Sequence, residues 1–183
     1  LYAATDLGAG SDSFEVVSGG LVNAIVNMGA DADLIRIFGR IESGGAINGE
    51  EGNDTLFLEE TAEISTGGNI NLGPDSDQAT VRGDIAGTLS LGEGVDTATW
   101  DSATSSVTGQ FLGGEQGNVA VDSNLEVDLV TLEGTGGVLV DLNLTGGVLD
   151  QWEHVTVSEG DWQLDNGAVA DDDMVTFTMD GVF

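Results

Sequence analysis

LGAGSDSFEV, residues 7–16, and LGEGVDTATW, residues 91–100, are two copies of one phrase. Three more copies lie between them: MGADADLIRI from Met28, GEEGNDTLFL from Gly49 and LGPDSDQATV from Leu72. The sixth position is always aspartate: Asp12, Asp33, Asp54, Asp77 and Asp96, at intervals of 21, 21, 23 and 19 residues. A degenerate sixth copy, LGGEQGNVAV from Leu112, puts Asn118 near the same place. A repeat of about 21 residues is too short for a pair of helices, and no apolar spacing of three and four persists over several turns.

The residues after each aspartate alternate instead. The eighth position reads Phe14, Ile35, Leu56, Ala79 and Ala98, and the tenth reads Val16, Ile37, Leu58, Val81 and Trp100. Between them stand Glu15, Arg36, Phe57, Thr80 and Thr99. Side chains alternate across a strand, so positions eight and ten face inward and position nine faces mostly outward. Ile41, Ile64, Ile85 and Val107 form a further column, and Val26, Ile47, Ile70 and Leu89 another. Three short strands per repeat, separated by glycine-rich turns, describe one rung of a parallel β-helix with three faces. The rungs stack about 4.8 Å apart, and none can bury its apolar residues alone. Residues 1–118 read as regular rungs. Residues 119–183 still alternate and break at glycine, which predicts looser rungs and a C-terminal cap over the open sheet edges.

Composition bounds the function. Among 183 residues are 33 Asp and Glu, 3 Arg, no Lys and no Cys, for a net charge of −30. Such a surface repels nucleic acid and anionic lipid and suits a saline or calcium-containing exterior. Val, Ile and Leu throughout the chain argue against disorder. No apolar run approaches the ~20 residues that span a bilayer, so this segment is not expected to insert in a membrane. The opening LYAATD carries no signal peptide and reads as a mature product or a piece of something longer.

The repeated aspartates admit two roles. Each can hold its own turn by accepting backbone N–H groups two residues on. Alternatively, the stack binds calcium. GEEGNDTLF, residues 49–57, differs by one residue from the calcium-binding nonapeptide of β-rolls, and calcium takes oxygen ligands. Asp12, Asp33, Asp54, Asp77 and Asp96, with Asp31 and Asp75 two residues before two of them, are the candidate metal ligands. Against calcium, the phrase occurs once per repeat rather than in tandem nine-residue units.

Little else suggests chemistry. The one histidine, His154, has no cysteine or second histidine to share a transition metal, and no nucleophile elbow accompanies it. Arg36 and Arg82 fall near one face and read as charges offsetting nearby acids. Trp100 belongs to an inward column, whereas Trp152 and Trp162 suit stacking on sugars but, in alternating strands, read first as filling a core or cap. No catalytic residue and no required cofactor are expected.

The phrases LGAGSDSF, NMGADADLI, NLGPDSDQATVRGDIAGTLSLG and LGEGVDTA resemble the repeats of passenger domains of type V-secreted autotransporters from Gram-negative bacteria. WEHVTVSEGDWQLDN, residues 152–166, resembles the stretch such passengers carry near their membrane barrel, with Trp152 in place of a Phe. The resemblance implies a right-handed β-helix, secreted or displayed at the outer membrane and joined to a translocator barrel in a parent protein. It also implies an autochaperone-like role near the C-terminus. The expected function is a non-enzymatic adhesin or stalk whose partner is a protein or glycan on a host or neighbouring cell. A calcium-binding β-roll-like module is the alternative, and a glycan-acting β-helix enzyme the third reading.

Overall fold

The strand that follows each aspartate pairs with its counterpart in the next repeat. Ser13–Val16, Leu34–Ile37, Thr55–Leu58, Gln78–Val81 and Thr97–Asp101 lie side by side, parallel and in register. The computed structural model describes residues 3–101 and 106–113 and, beyond these, six strands that contain Leu129–Glu133, Val140–Asn143, Leu149–Asp150, His154–Val157, Trp162–Asp165 and Thr176–Met179. Every described pairing is parallel, and neighbours in each sheet come from successive rungs. The chain is an all-β solenoid of stacked rungs.

The first sheet contains Thr5–Asp6, Ile25–Ala30, Ala46–Glu51, Asn69–Pro74, Thr88–Glu93, Gln110–Leu112 and Leu149–Asp150. The second continues from Thr97–Asp101 through Leu129–Glu133 and His154–Val157 to Thr176–Met179. The third is built of two-residue strands, Leu21–Val22, Arg40–Ile41, Glu63–Ile64 and Asp84–Ile85, and Val107 adds a bridge to Ile85. Val140–Asn143 pairs with Trp162–Asp165 and takes the third sheet's place in chain order.

The inward columns follow from the alternation. Ile35, Leu56, Ala79 and Ala98 stack beside Ile37, Leu58, Val81 and Trp100, all buried. Val22, Ile41, Ile64 and Ile85 close the short side, and Val26, Ile47, Ile70, Leu89 and Phe111 the third. Fully burying one Ile or Leu contributes about 1.5–3 kcal/mol, and here each packs against its like in the rungs on either side.

The turn that carries the aspartate has a fixed backbone. Its second residue is left-handed in each copy: Gly8, Gly29, Glu50, Gly73 and Gly92. So is its fourth: Gly10, Asp31, Gly52, Asp75 and Gly94. Asp tolerates that conformation, while Glu gains nothing locally from it. Glu50→Gly therefore relieves strain at φ 73°. It is expected to raise the urea midpoint by the equivalent of about 1 kcal/mol, a gain that a fall in midpoint would exclude.

The regular interval ends after the fifth rung. The strand paired with Thr97–Asp101 is Leu129–Glu133, so Thr97 and Leu129 are partners 32 residues apart, against 19 between Gln78 and Thr97. The chain between Gln110–Leu112 and Leu129–Glu133 is longer than the one that joins Thr88–Glu93 to Thr97–Asp101. Asn118, which the sequence put near the sixth aspartate position, lies outside the described residues, as does Trp152.

Candidate functional site

Aspartate stands at the bend where the first sheet gives way to the second, with its side chain turned into the solenoid. Asp33, Asp54 and Asp77 are 3%, 1% and 2% exposed, and Asp96 is fully buried. The register stacks them, and each carboxylate reaches the rung before it. Asp12 N–H donates to Asp33 Oδ1 at 2.6 Å and Asp33 N–H to Asp54 Oδ1 at 2.8 Å. Asp54 N–H donates to Asp77 Oδ1, and Asp77 N–H to Asp96 Oδ1, both at 2.7 Å. The expected cap within each turn is thus corrected. The bond runs between rungs, because the turn presents the aspartate's own N–H along the solenoid axis.

One oxygen per carboxylate remains. Oδ2 of Asp33, Asp54 and Asp77 is buried and has no hydrogen-bond partner. Next to Asp54 a side chain is missing from its column. Met28, Leu72 and Leu91 fill the first position of their copies, whereas in the third copy it is Gly49, whose Cβ would collide with Asp54 Oδ2 and the Leu72 carbonyl. Burial without a second partner penalises the charged form. It pushes the Asp54 carboxyl up to about 6 against the N–H of Asp33, with Asp33 and Asp75 adding repulsion. It pushes Asp77 up to about 8 against the N–H of Asp54, with Asp96, Asp54 and Asp75 adding repulsion. Asp33 moves in the same direction, chiefly by burial. Asp77 therefore keeps its proton at neutral pH, and Asp54 takes one up as the pH falls through about 6.

The two auxiliary aspartates occupy another part of the turn. Asp31 and Asp75 are exposed, at φ 82° and 85°, in the place glycine takes in the other copies. Asp75 Oδ2 accepts the Gly52 N–H at 3.2 Å. Among the described residues no three carboxylate or imidazole side chains converge to hold a metal ion.

Charge elsewhere is locally matched. Arg36 and Arg82 approach Glu59 from the rungs on either side, at 3.8 and 3.3 Å, and the Arg36 guanidinium lies 5.0 Å from the centre of the Phe57 ring. Arg40 meets Glu42 at 3.3 Å and Glu63 at 3.9 Å. Half-exposed pairs of this kind contribute about 0.2–1 kcal/mol each. On the first sheet Asn48 Nδ2 donates to Asn27 Oδ1 in the rung before it at 2.9 Å. His154 opens a strand of the second sheet, in register with Leu129 and Thr176. No helix among the described residues is long and apolar enough to cross a membrane. No protein-family model, curated protein or solved structure matches the chain.

Proposed function

We propose that the chain is a non-enzymatic segment of a secreted or surface-displayed protein, a rigid β-solenoid that acts as an adhesin or carries one, after the manner of autotransporter passengers. One observation carries the reading. The second sheet runs in register from Ser13 to Met179, and the most perturbed acids point into that stack. Arg36 and Arg82 pair with Glu59 at the surface of that sheet, and Arg40 pairs with Glu42 and Glu63 at the third. Polar groups are thus committed to stacking, and the outward faces are left for contact. A net charge of −30 suits a saline exterior, where the Debye length is only about 8 Å at physiological ionic strength. The repeat phrases and the stretch from Trp152 support export through a translocator barrel.

The test is display of the 183-residue segment on a non-adherent bacterium through an unrelated barrel. The expected result is a protease-resistant segment at the surface and increased attachment to cells. A displayed, folded segment that leaves attachment unchanged, or one that cleaves a polysaccharide, defeats the proposal.

Calcium is the second reading, and the unpartnered Oδ2 atoms are what favour it. A proton satisfies a carboxyl in such a site as well as an ion would, and it removes the repulsion between neighbours in the ladder. Melting in excess chelator at pH 7 is therefore expected to match melting in calcium within a degree or so. A large fall in chelator would replace the proton by calcium.

A further inference from the structure

We infer that Asn53 is an acceptor for an N-linked oligosaccharide, attached during export and before the third rung closes. The inference rests on the export half of the proposed function and adds a modification to it.

The acceptor pattern is the first ground. Asn53-Asp54-Thr55 is the triplet that oligosaccharyltransferases read: asparagine, any residue but proline, then serine or threonine. Bacterial enzymes of this class also require an acid two residues before the asparagine, and Glu51 stands there. A cationic side chain of the enzyme meets that acid, and a hydrogen bond meets the threonine hydroxyl. Asparagine takes the fifth position only in the third copy of the phrase. The others have Ser11, Ala32, Ser76 and Val95.

Placement is the second ground. Asn53 is exposed in the turn between Ala46–Glu51 and Thr55–Leu58; Glu51 is exposed beside it, and Thr55 is partly so. Asn53 Oδ1 accepts the Ser76 N–H from the next rung at 3.0 Å, and Nδ2 has no partner among the described residues. Nδ2 is the atom that carries an N-linked glycan. Substitution there leaves Oδ1 an acceptor, so the modified side chain keeps its bond between rungs. Ala32 and Ser76, at the same position in the rungs on either side, are small and exposed and leave room for the first sugar.

The step is a group transfer. The donor is an oligosaccharide joined through C1 of its first sugar to a polyprenyl diphosphate. Nδ2 attacks C1, the bond from C1 to the diphosphate oxygen breaks, and polyprenyl diphosphate leaves with the bonding pair. Nδ2 gives one of its two protons to a carboxylate of the transferase and keeps the new carbon–nitrogen bond. Nothing is oxidised or reduced.

Backbone bonds set the timing. In the folded chain the Asp54 N–H donates to Asp77 Oδ1 at 2.7 Å and the Thr55 N–H to the Asp33 carbonyl at 2.9 Å. A transferase must draw Glu51 to Thr55 into its own groove, and these bonds hold the segment to the rungs on both sides. Transfer therefore precedes stacking, and the finished rung carries the sugar outward.

The test is secretion of the 183-residue chain, behind a cleavable signal, into the periplasm of a bacterium that carries an oligosaccharyltransferase and its lipid-linked donor. A C-terminal acceptor tag on the same chain reports that enzyme and donor are active. Peptide mapping by mass spectrometry is expected to find the glycan on Asn53. Glu51→Gln is expected to cut occupancy about tenfold, through loss of one charge-assisted contact. Thr55→Val is expected to abolish it, while Thr55→Ser and Glu50→Gln leave it in place. Chain that is already folded when it meets the transferase is expected to gain roughly a tenth as much glycan or less. A chain glycosylated on its tag but bare at Asn53 overturns the inference, as does a glycan found only at Asn143, in the other such triplet. Occupancy indifferent to Glu51→Gln, or equal modification of the folded chain, overturns it too. The added signal supplies export here, so a bare Asn53 defeats the acceptor assignment alone, and the display experiment still decides the proposed function.

Discussion

Asp77→Asn is expected to raise the melting temperature at pH 8 by roughly 10 °C and to flatten the decline that the wild-type chain shows between pH 4 and pH 8. Asp77→Ala is expected to lower it at pH 5. Asp77 titrates at about 8 in the folded chain and near its ordinary 3.8 when unfolded. Between those values the folded chain binds a proton that the unfolded chain has released. Raising the pH therefore favours unfolding: the contribution is complete below about pH 4 and is lost as pH rises through 8. Asp54, pushed to about 6, adds to the same slope at lower pH. A loss on the order of 3 kcal/mol allows for the coupling between neighbours.

Asparagine keeps the oxygen that accepts the Asp54 N–H and cannot ionise. Alanine leaves that buried N–H without an acceptor, which costs about 1–3 kcal/mol. A wild-type melting temperature that is flat or rises with pH would sink this account. So would an Asp77→Asn chain no more stable than wild type at pH 8.

The parts of this arrangement differ in how far they could be read beforehand. The eighth and tenth positions were legible because alternation leaves one side of a half-buried strand apolar, and Ile37, Leu58, Val81 and Trp100 are buried as that pattern requires. The direction of the aspartate bond was not legible. A cap within a turn and a bond between rungs use the same residue at the same spacing, and only the orientation of the Asp12, Asp33, Asp54 and Asp77 N–H groups separates them.

The sixth rung was misplaced for another reason. LGGEQGNVAV keeps the glycines of the phrase and puts Val119 and Val121 at its eighth and tenth positions, but it lacks the aspartate. DLVTL, residues 128–132, has the aspartate with the alternation directly after it, and its Leu129 to Leu132 pair with Thr97 to Trp100. The strand that follows an aspartate was the better guide than the glycines of the turn, because a turn accepts inserted residues and a buried strand does not.

Gly92→Ala is expected to cost about 4 kcal/mol or more, and Gly8→Ala, at the same position of the first copy, only about 1–2 kcal/mol. Both glycines are left-handed, at φ 117° and 96°. Nothing lies within 4 Å of a Cβ built on Gly8, so alanine there meets backbone strain alone. A Cβ on Gly92 collides with the Gly73 carbonyl oxygen and stands 2.7 Å from its carbon. Relief by rotation is blocked. Non-glycine residues tolerate the left-handed region near φ 60°, as Glu50 at 73° does in this column, and Gly92 is far outside it. Pulling Gly92 toward that value drags Thr88–Glu93 away from Asn69–Pro74, its partner over five registered pairs. It also displaces the turn that sets Asp96 against the Asp77 N–H. The difference between the two variants in urea midpoint thus measures the closeness of the rungs rather than the conformational cost of replacing glycine. Equal midpoints would mean that the rungs can separate at this corner without loss, and the aspartate ladder could not then be what holds them in register.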